Sequence, residues 1–267
     1  MDKPLVSVII PCYNSGKYLP EALDSVTRYH DASVYEIIIV DDGSTDAATI
    51  ELLNTLKNKH IVISQENRGP AAARNTGVKA AKGEYLLMLD SDNKIEAAYI
   101  DEGIRILDAN SKTAVVHAVP VFFGDSSKPR FNTGPFDMEL ILKENYIDNC
   151  AIIRRSVWVE LGGQDESRAV MSHEDWDFWI RVTSAGYQFH FIDKPLFHYR
   201  ILNTSLVNDF MLPGGNDGVY SYMYGKHAML LSKYYTDLLN EANYSRLDRQ
   251  QPLRSFIKFL RNKYFKK

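Results

Sequence analysis

The sequence predicts an α/β fold: a mostly parallel central sheet with helices on both faces, followed by a helical C-terminal extension. Three observations predict it. Short, continuous apolar runs rich in β-branched residues alternate with helical patterns in the first half of the chain, as in a parallel sheet covered on both sides. Polar clusters follow directly on three of these runs, "PCYN", "DDGSTD" and "DSDNK", where α/β sheets bind ligands beyond the carboxyl ends of their strands. The chain has 267 residues, 45% of them hydrophobic, which suits one large domain or a domain with an extension.

The elements follow in order. "LVSVII" (5–10) reads as a strand, and "NSGKYLPEALDSV" as a helix with Leu19, Leu23 and Val26 on one face and Asn14 or Ser15 available as its cap. "YEIIIV" (35–40) is the second strand, followed by a turn and a helix from about 47 to 58 that Asp46 caps. "HIVIS" (60–64) is the third strand, "GPAAARNTGVKAAKG" an alanine-rich helix between glycines, and "EYLLML" (84–89) the fourth strand. The second half is less regular. "FDMELILKENYI" and "SVWVELGG" read as helical, "NCAIIRR" as extended, and "HEDWDFWIRVTSAG" as an amphipathic helix ending at Gly186, with Trp176 and Trp179 facing the core. "YQFHFI" and "PLFHYR" read as two short strands, 203–216 as a mobile Asn- and Gly-rich loop, and 218 to about 243 as a tyrosine-rich helical stretch. The expected organisation is a catalytic domain over 1–202, divided near residue 93 into nucleotide-binding and acceptor halves, with an extension over 203–267.

Composition narrows the classes of function. The net charge of -3 carries no nucleic-acid signature. Cys12 and Cys150 stand far apart with no zinc-type spacing, which points to a reducing compartment. "MDKPLVSVIIPCYN" lacks the pattern of a signal peptide, and no run nears the roughly 18 apolar residues of a membrane span. The expectation is a cytoplasmic protein, soluble or peripheral on the inner face of the membrane.

Taken singly, the polar clusters have plain readings. A D-x-D such as Asp90 and Asp92 can hold a divalent cation, yet is commonly a solvated turn; its place at a strand's carboxyl end favours the ligand. Asp41 and Asp42 suit turn chemistry, but a carboxylate there can also accept a base N–H or ribose hydroxyls. Tyr13, beside Pro11, can stack on a base or pack on the next helix. Arg74 can face a base or diphosphate or be an ordinary surface arginine. Glu174 and Asp175 favour a helix start, and either also suits a general base.

The order and spacing of these segments are far more specific. "VSVIIPCYNSGKYLPEALDSV", "IIIVDDGSTD", "NRGPAAARNTGVKAAKGEYLLMLDSD" and "LGGQDES…HEDWDFWIR" together resemble the family 2 glycosyltransferases, inverting enzymes of the glycosyltransferase-A fold, over roughly residues 4–200. The resemblance implies transfer from a nucleotide-diphosphate sugar, commonly UDP-linked, with Mg²⁺ or Mn²⁺, to a glycan or lipid-linked acceptor. It implies nucleotide binding by Pro11, Tyr13, Asp42, Arg74 and Asp90, metal and diphosphate binding by Asp92, and a catalytic base at Asp175, with Glu174 the neighbouring candidate. One departure stands out. Many relatives carry a histidine two residues after a "YR" pair; here Leu202 is at that place and His198 precedes the pair. Bacterial surface-polysaccharide assembly is the pathway that the resemblance suggests.

The C-terminal segment 252–267 has six basic and no acidic residues, leaving about -9 on the rest, and places Leu253, Phe256, Ile257, Leu260 and Tyr264 on one helical face. Such a face fits an anionic membrane surface, or packing on the domain or on a homodimer partner. Two rival readings stay open: an inactive sugar-nucleotide-binding partner subunit, which would not need the acidic pair of "HED", and a nucleotidyltransferase, for which "PCYNSGKYL" is a poor triphosphate loop.

Overall fold

A computed structural model of the chain describes residues 3–29, 31–203, 217–236 and 249–254. The chain divides into two compact units, 1–220 and 221–267.

The first unit is built on an eight-stranded sheet. Its early part alternates as the apolar runs require: β1 (Val6–Cys12), α1 (Leu19–Thr27), β2 (Tyr35–Asp41), α2 (Ala47–Leu56), β3 (Ile61–Ser64), α3 (Pro70–Ala80) and β4 (Tyr85–Met88). These strands pair in parallel in the order β3-β2-β1-β4. The central ones are buried on both faces, and Val6, Val8, Ile9, Ile10, Ile38 and Ile39 are each fully buried. Each such side chain contributes roughly 1.5–3 kcal/mol relative to exposure, which explains why uninterrupted apolar runs settle as these inner strands.

The remaining elements are β5 (Lys94–Ile95), α4 (Ala97–Ala109), β6 (Thr113–Gly124), α5 (Met138–Lys143), β7 (Ile152–Arg154), α6 (Arg155–Glu160), α7 (Glu174–Ser184) and β8 (Gln188–Ile201). The full order is β3-β2-β1-β4-β7-β6-β8-β5. Strand β7 runs antiparallel to both β4 and β6, β5 runs antiparallel to β8, and β6 and β8 are parallel. Every antiparallel pairing thus involves β7 or β8, from the half where the sequence pattern loses regularity.

Two local readings are corrected and a third holds. "YQFHFI" and "PLFHYR" form one strand, not two; its register against β6 shifts at Val119, which faces Pro195, so the proline sits at an irregularity where no ladder donor is needed. Helix α1 starts at Leu19 without a side-chain cap. Asn14 instead bridges two loops: its Oδ1 accepts from the Thr45 and Asp46 backbone N–H groups at 2.7 and 3.0 Å. Asp46 caps α2 as expected, accepting from Thr49 N at 2.8 Å.

Helix α3 lies close on the sheet because of Gly77. A Cβ there would stand 2.6 Å from Ile9 Cγ2. That close approach sets the height of Arg74 above the strands. Helix α7 is anchored by Trp176 and Trp179, 1% and 0% exposed, as its amphipathic pattern requires. Beyond the mobile-loop reading at 203–216, nearly all of which lies outside the described residues, α8 (Asp217–Lys226) begins the tyrosine-rich helical stretch. The amphipathic face expected beyond Leu253 also lies outside the described residues.

Candidate active site

A cleft of about 1520 Å³ opens at the carboxyl ends of β1, β2 and β4. Its walls include all eight residues to which the resemblance assigns a role: Pro11, Tyr13, Asp42, Arg74, Asp90, Asp92, Glu174 and Asp175. The volume exceeds that of an ordinary small-molecule site, roughly 300–1,000 Å³. It leaves room for two substrates.

On the β1–β2 side, Asp42 is buried and heavily bonded. Its Oδ1 accepts from Gln65 Nε2 at 2.7 Å and from the Arg68 backbone N–H at 3.0 Å, and its Oδ2 from Gly69 N at 2.8 Å. Gly69 has φ of +92°, a conformation that favours glycine, so the chain can turn its N–H onto the carboxylate before entering α3. Asp42 therefore ties the segment before α3 to the end of β2. Tyr13 is 49% exposed beside it, a flat face presented to the cleft. Asp41 only closes its own turn, accepting from Ser44 N at 2.9 Å.

Past β4, the turn containing Asp90, Ser91 and Asp92 is held from two directions. Ser91 and Ser15 hydroxyls meet at 2.7 Å, joining it to the loop after β1. From the end of β8, Arg200 donates through Nε to the Asp92 carbonyl and through its backbone N–H to Asn93 Oδ1, both at 2.8 Å. The Arg200 guanidinium lies over the Tyr18 and Phe123 rings at 4.7 and 4.3 Å. The residue where relatives often have histidine, Leu202, lines the cleft. His198 is bonded to Glu96 at 2.6 Å and is not among the cleft residues.

The far wall is the segment before β7 and the start of α7. The two α7 tryptophans build it: Trp176 Nε1 donates to the Ile141 carbonyl at 2.6 Å and Trp179 Nε1 to the Ile147 carbonyl at 2.9 Å. They fix the loop that carries Asn145 and Asp148. Asp148 accepts from Cys150 N at 2.8 Å. Asp175 accepts from the Trp176 N–H at 2.8 Å and is bonded to Asn145. Arg74 crosses the cleft floor, joined to Asp90 and Glu174, each at 2.7 Å. The second oxygen of Glu174, Oε2, is buried and has no hydrogen-bond partner among the described residues.

Electrostatically the part of the cleft between the Asp90–Asp92 turn and α7 is short of positive charge. Burial, and then the charge of Asp90, lift the Asp92 carboxyl to about 6. Burial and Asp90 lift Asp148 to about 7. Burial, then Glu174 and Asp148, lift Asp175 to about 8. Such crowding favours a proton or a cation. Among the described residues, no three His, Cys, Asp or Glu side chains converge on a metal position. Magnesium-type ions in nucleotide sites, however, usually take one or two carboxylates and complete their shell with substrate phosphates and water. The Asp90–Asp92 pair fits that mode, and the raised Asp92 carboxyl is the kind of group a cation relieves.

Sequence reasoning missed Asp148, Asn145 and Arg200 as parts of this cleft. "YIDNC" has no motif spacing, and only the antiparallel placement of β7 beside β4 carries Asp148 toward Asp90.

The model of glycosyl transferase family 2 matches residues 7–174. The putative glycosyltransferase EpsH of Bacillus subtilis is 30% identical over 224 residues, covering 79% of this chain and 64% of that relative, just under two thirds of its length. The putative teichuronic acid biosynthesis glycosyltransferase TuaG of the same species is 28% identical, covering 76% of this chain and 82% of TuaG. Staphylococcus aureus TarS residues 1–349, solved with UDP-GlcNAc, superpose with a TM-score of 0.61 at 22% identity, covering 78% and 61% of the two chains. The mannosyltransferase PcManGT of Pyrobaculum calidifontis, solved with GDP-Man and Mn²⁺, gives 0.58 at 17% identity, covering 100% and 89%. The chain therefore belongs to glycosyl transferase family 2 and has the glycosyltransferase-A fold.

Proposed function

We propose that this protein transfers a sugar from a UDP-linked donor to an acceptor hydroxyl with inversion, in the assembly of a bacterial surface polysaccharide. The observation that carries the reading is the shared cleft of Asp92 and Asp175, with Asp42 and Tyr13 at its other end. Family membership and the name of TuaG support the reaction class and the pathway.

The bonding of Asp42 supports a uracil donor. Its Oδ1 already accepts two hydrogen bonds and its Oδ2 one, which leaves a single acceptor position. The imino N–H of uracil needs one acceptor, whereas guanine presents two adjacent donors. Tyr13 would stack on the base.

In the transfer step, Asp175 accepts the proton of the acceptor hydroxyl as that oxygen bonds to the anomeric carbon. The bond from that carbon to the diphosphate breaks with its electron pair, and nucleoside diphosphate leaves from the opposite face. Asp92, with Asp90, would hold a Mg²⁺ or Mn²⁺ ion, which when bound offsets the charge growing on the diphosphate. Asn145 holds the acceptor-side wall to Asp175 through its hydrogen bond, and the nearby charge of Asp148 makes Asp175 more basic. A lipid-linked acceptor, a homodimer and contact of the 252–267 segment with the inner face of a cytoplasmic membrane belong to the same reading. No helix among the described residues is long and apolar enough to cross a membrane.

The test is a screen of nucleotide sugars for slow hydrolysis by the full chain with Mn²⁺. The reading expects turnover of a UDP-sugar, lost in Asp92→Ala. Turnover of a GDP-sugar alone would remove the uracil assignment, and hydrolysis unchanged in Asp92→Ala would remove the metal role.

A further inference from the structure

Arg74 holds a position that no nucleotide contact explains. It is buried, and it joins two carboxylates from different walls of the cleft: Nη2 donates to Asp90 after β4, and Nη1 to Glu174 at the first residue of α7, both at 2.7 Å. Nη1 also donates to Gln164 Oε1 at 3.3 Å. The Asn149 side-chain amide lies beside the guanidinium; turned from the orientation in which it accepts from Gln164 Nε2, its oxygen would accept from Nε at 2.7 Å and from Nη2 at 3.2 Å. All three guanidinium nitrogens thus face protein acceptors. Contact with a base or phosphate would require Arg74 to break a buried charge pair, which leaves a carboxylate uncompensated and is strongly unfavourable. The two carboxylates more than offset the effect of burial on the guanidinium and hold it firmly protonated.

We propose that Arg74 is a positioning residue and not a nucleotide ligand. It fixes the first turn of α7, and with it Asp175, at a set distance from the turn that carries Asp90 and Asp92. By occupying one oxygen of Glu174 it also aims the unpartnered Oε2. The resemblance of the sequence implied a nucleotide contact here; the saturated guanidinium argues for a strut between the donor and acceptor sides. The kinetic arm of the test rests on the transferase reading above, while the binding and melting arms do not.

Two full-length variants test it. Arg74→Lys keeps the charge but reaches one carboxylate instead of two. The double variant Arg74→Met with Glu174→Met replaces the buried pair by apolar side chains of similar length, a change that folds commonly tolerate, and leaves the partly exposed Asp90 to water and the cation. Calorimetry with UDP and Mn²⁺ should give affinities within about threefold of the parent for both, less than the tenfold that 1.4 kcal/mol represents. Both should melt cooperatively. Turnover by Arg74→Lys should fall about 30-fold or more at unchanged donor KM, the pattern of an interaction acting on the transition state. Loss of UDP affinity by tenfold or more in both folded variants would make Arg74 a nucleotide ligand and overturn the proposal. Parental turnover in Arg74→Lys would also overturn it. Should the parent bind GDP–Mn²⁺ in place of UDP–Mn²⁺, the donor reading fails, and the same comparison run with GDP still decides the role of Arg74.

Discussion

The two ends of the cleft are built on opposite principles. At the β1–β2 end, Asp42 is surrounded by donors: one side-chain amide and two backbone N–H groups. Between the turn after β4 and α7, Asp92, Asp148 and Asp175 crowd together with too few donors, and each is pushed toward its protonated form. The first end is finished before a ligand arrives. The second holds electrostatic cost that a cation, a phosphate-bound metal or a substrate hydroxyl relieves. Groups of the second kind lower stability and are retained where they serve chemistry.

The largest expected effect of breaking this contrast is on transfer. Asp175→Asn should lower turnover by about 10²–10⁴-fold, the range for loss of a general base, while UDP binding with Mn²⁺ stays within a few-fold of the parent. The same substitution should raise the melting temperature. A carboxyl whose folded pKa is raised to about 8 favours the fold when protonated, and that contribution is lost as pH rises from about 4 toward 8. The gap in melting temperature between Asp175→Asn and the parent should therefore widen from pH 5 to pH 8. An unchanged gap would mean that Asp175 is not electrostatically strained.

At the finished end the sign reverses. Asp42→Ala strands the Gly69 N–H and the Gln65 amide and should destabilise the protein by about 1–3 kcal/mol, read from thermal melts at neutral pH. A variant as stable as the parent would show that Asp42 does not tie the segment before α3 to β2.

The smallest effect separates functional strain from mere tolerance. His117 on β6 is buried, neither ring nitrogen has a hydrogen-bond partner among the described residues, and burial lowers it to about 3. It is not among the cleft residues. His117→Leu should gain about 1 kcal/mol or more at neutral pH with transfer unchanged. A histidine whose folded pKa is depressed loses its contribution as pH falls through 6.5 toward 3, so the variant's advantage should grow in acid. A loss of stability at pH 5 would contradict this.

The sequence made the finished end legible and left much of the strained end hidden, for a physical reason. Parallel strands buried on both faces must be continuous apolar runs, and their carboxyl ends follow from the same pattern. Pro11, Tyr13, Asp42, Asp90 and Asp92 could thus be assigned to one edge from local order alone. The far wall depends on long-range pairing. Strand β6 begins "TAVVHAV", a readable β-branched run, yet no element was assigned to it, and nothing local says that it pairs with β8 across an irregular register. Asp148 reaches the cleft only because β7 is short and antiparallel to β4. Glu174 and Asp175 were visible because "HED" opens an amphipathic helix, but the strut from Arg74 that holds them was not, since an arginine in an alanine-rich helix reads equally well as a surface residue.

The central claim is that the crowded carboxylates grip a metal-bound nucleotide diphosphate. Titrating UDP into the full chain with and without Mn²⁺, for the parent and for Asp92→Asn, tests it directly. The account predicts that Mn²⁺ tightens UDP binding by tenfold or more in the parent, about 1.4 kcal/mol, and leaves the variant's affinity nearly unchanged. Equal affinity with and without the metal in the parent, or the same metal enhancement in Asp92→Asn, would contradict it.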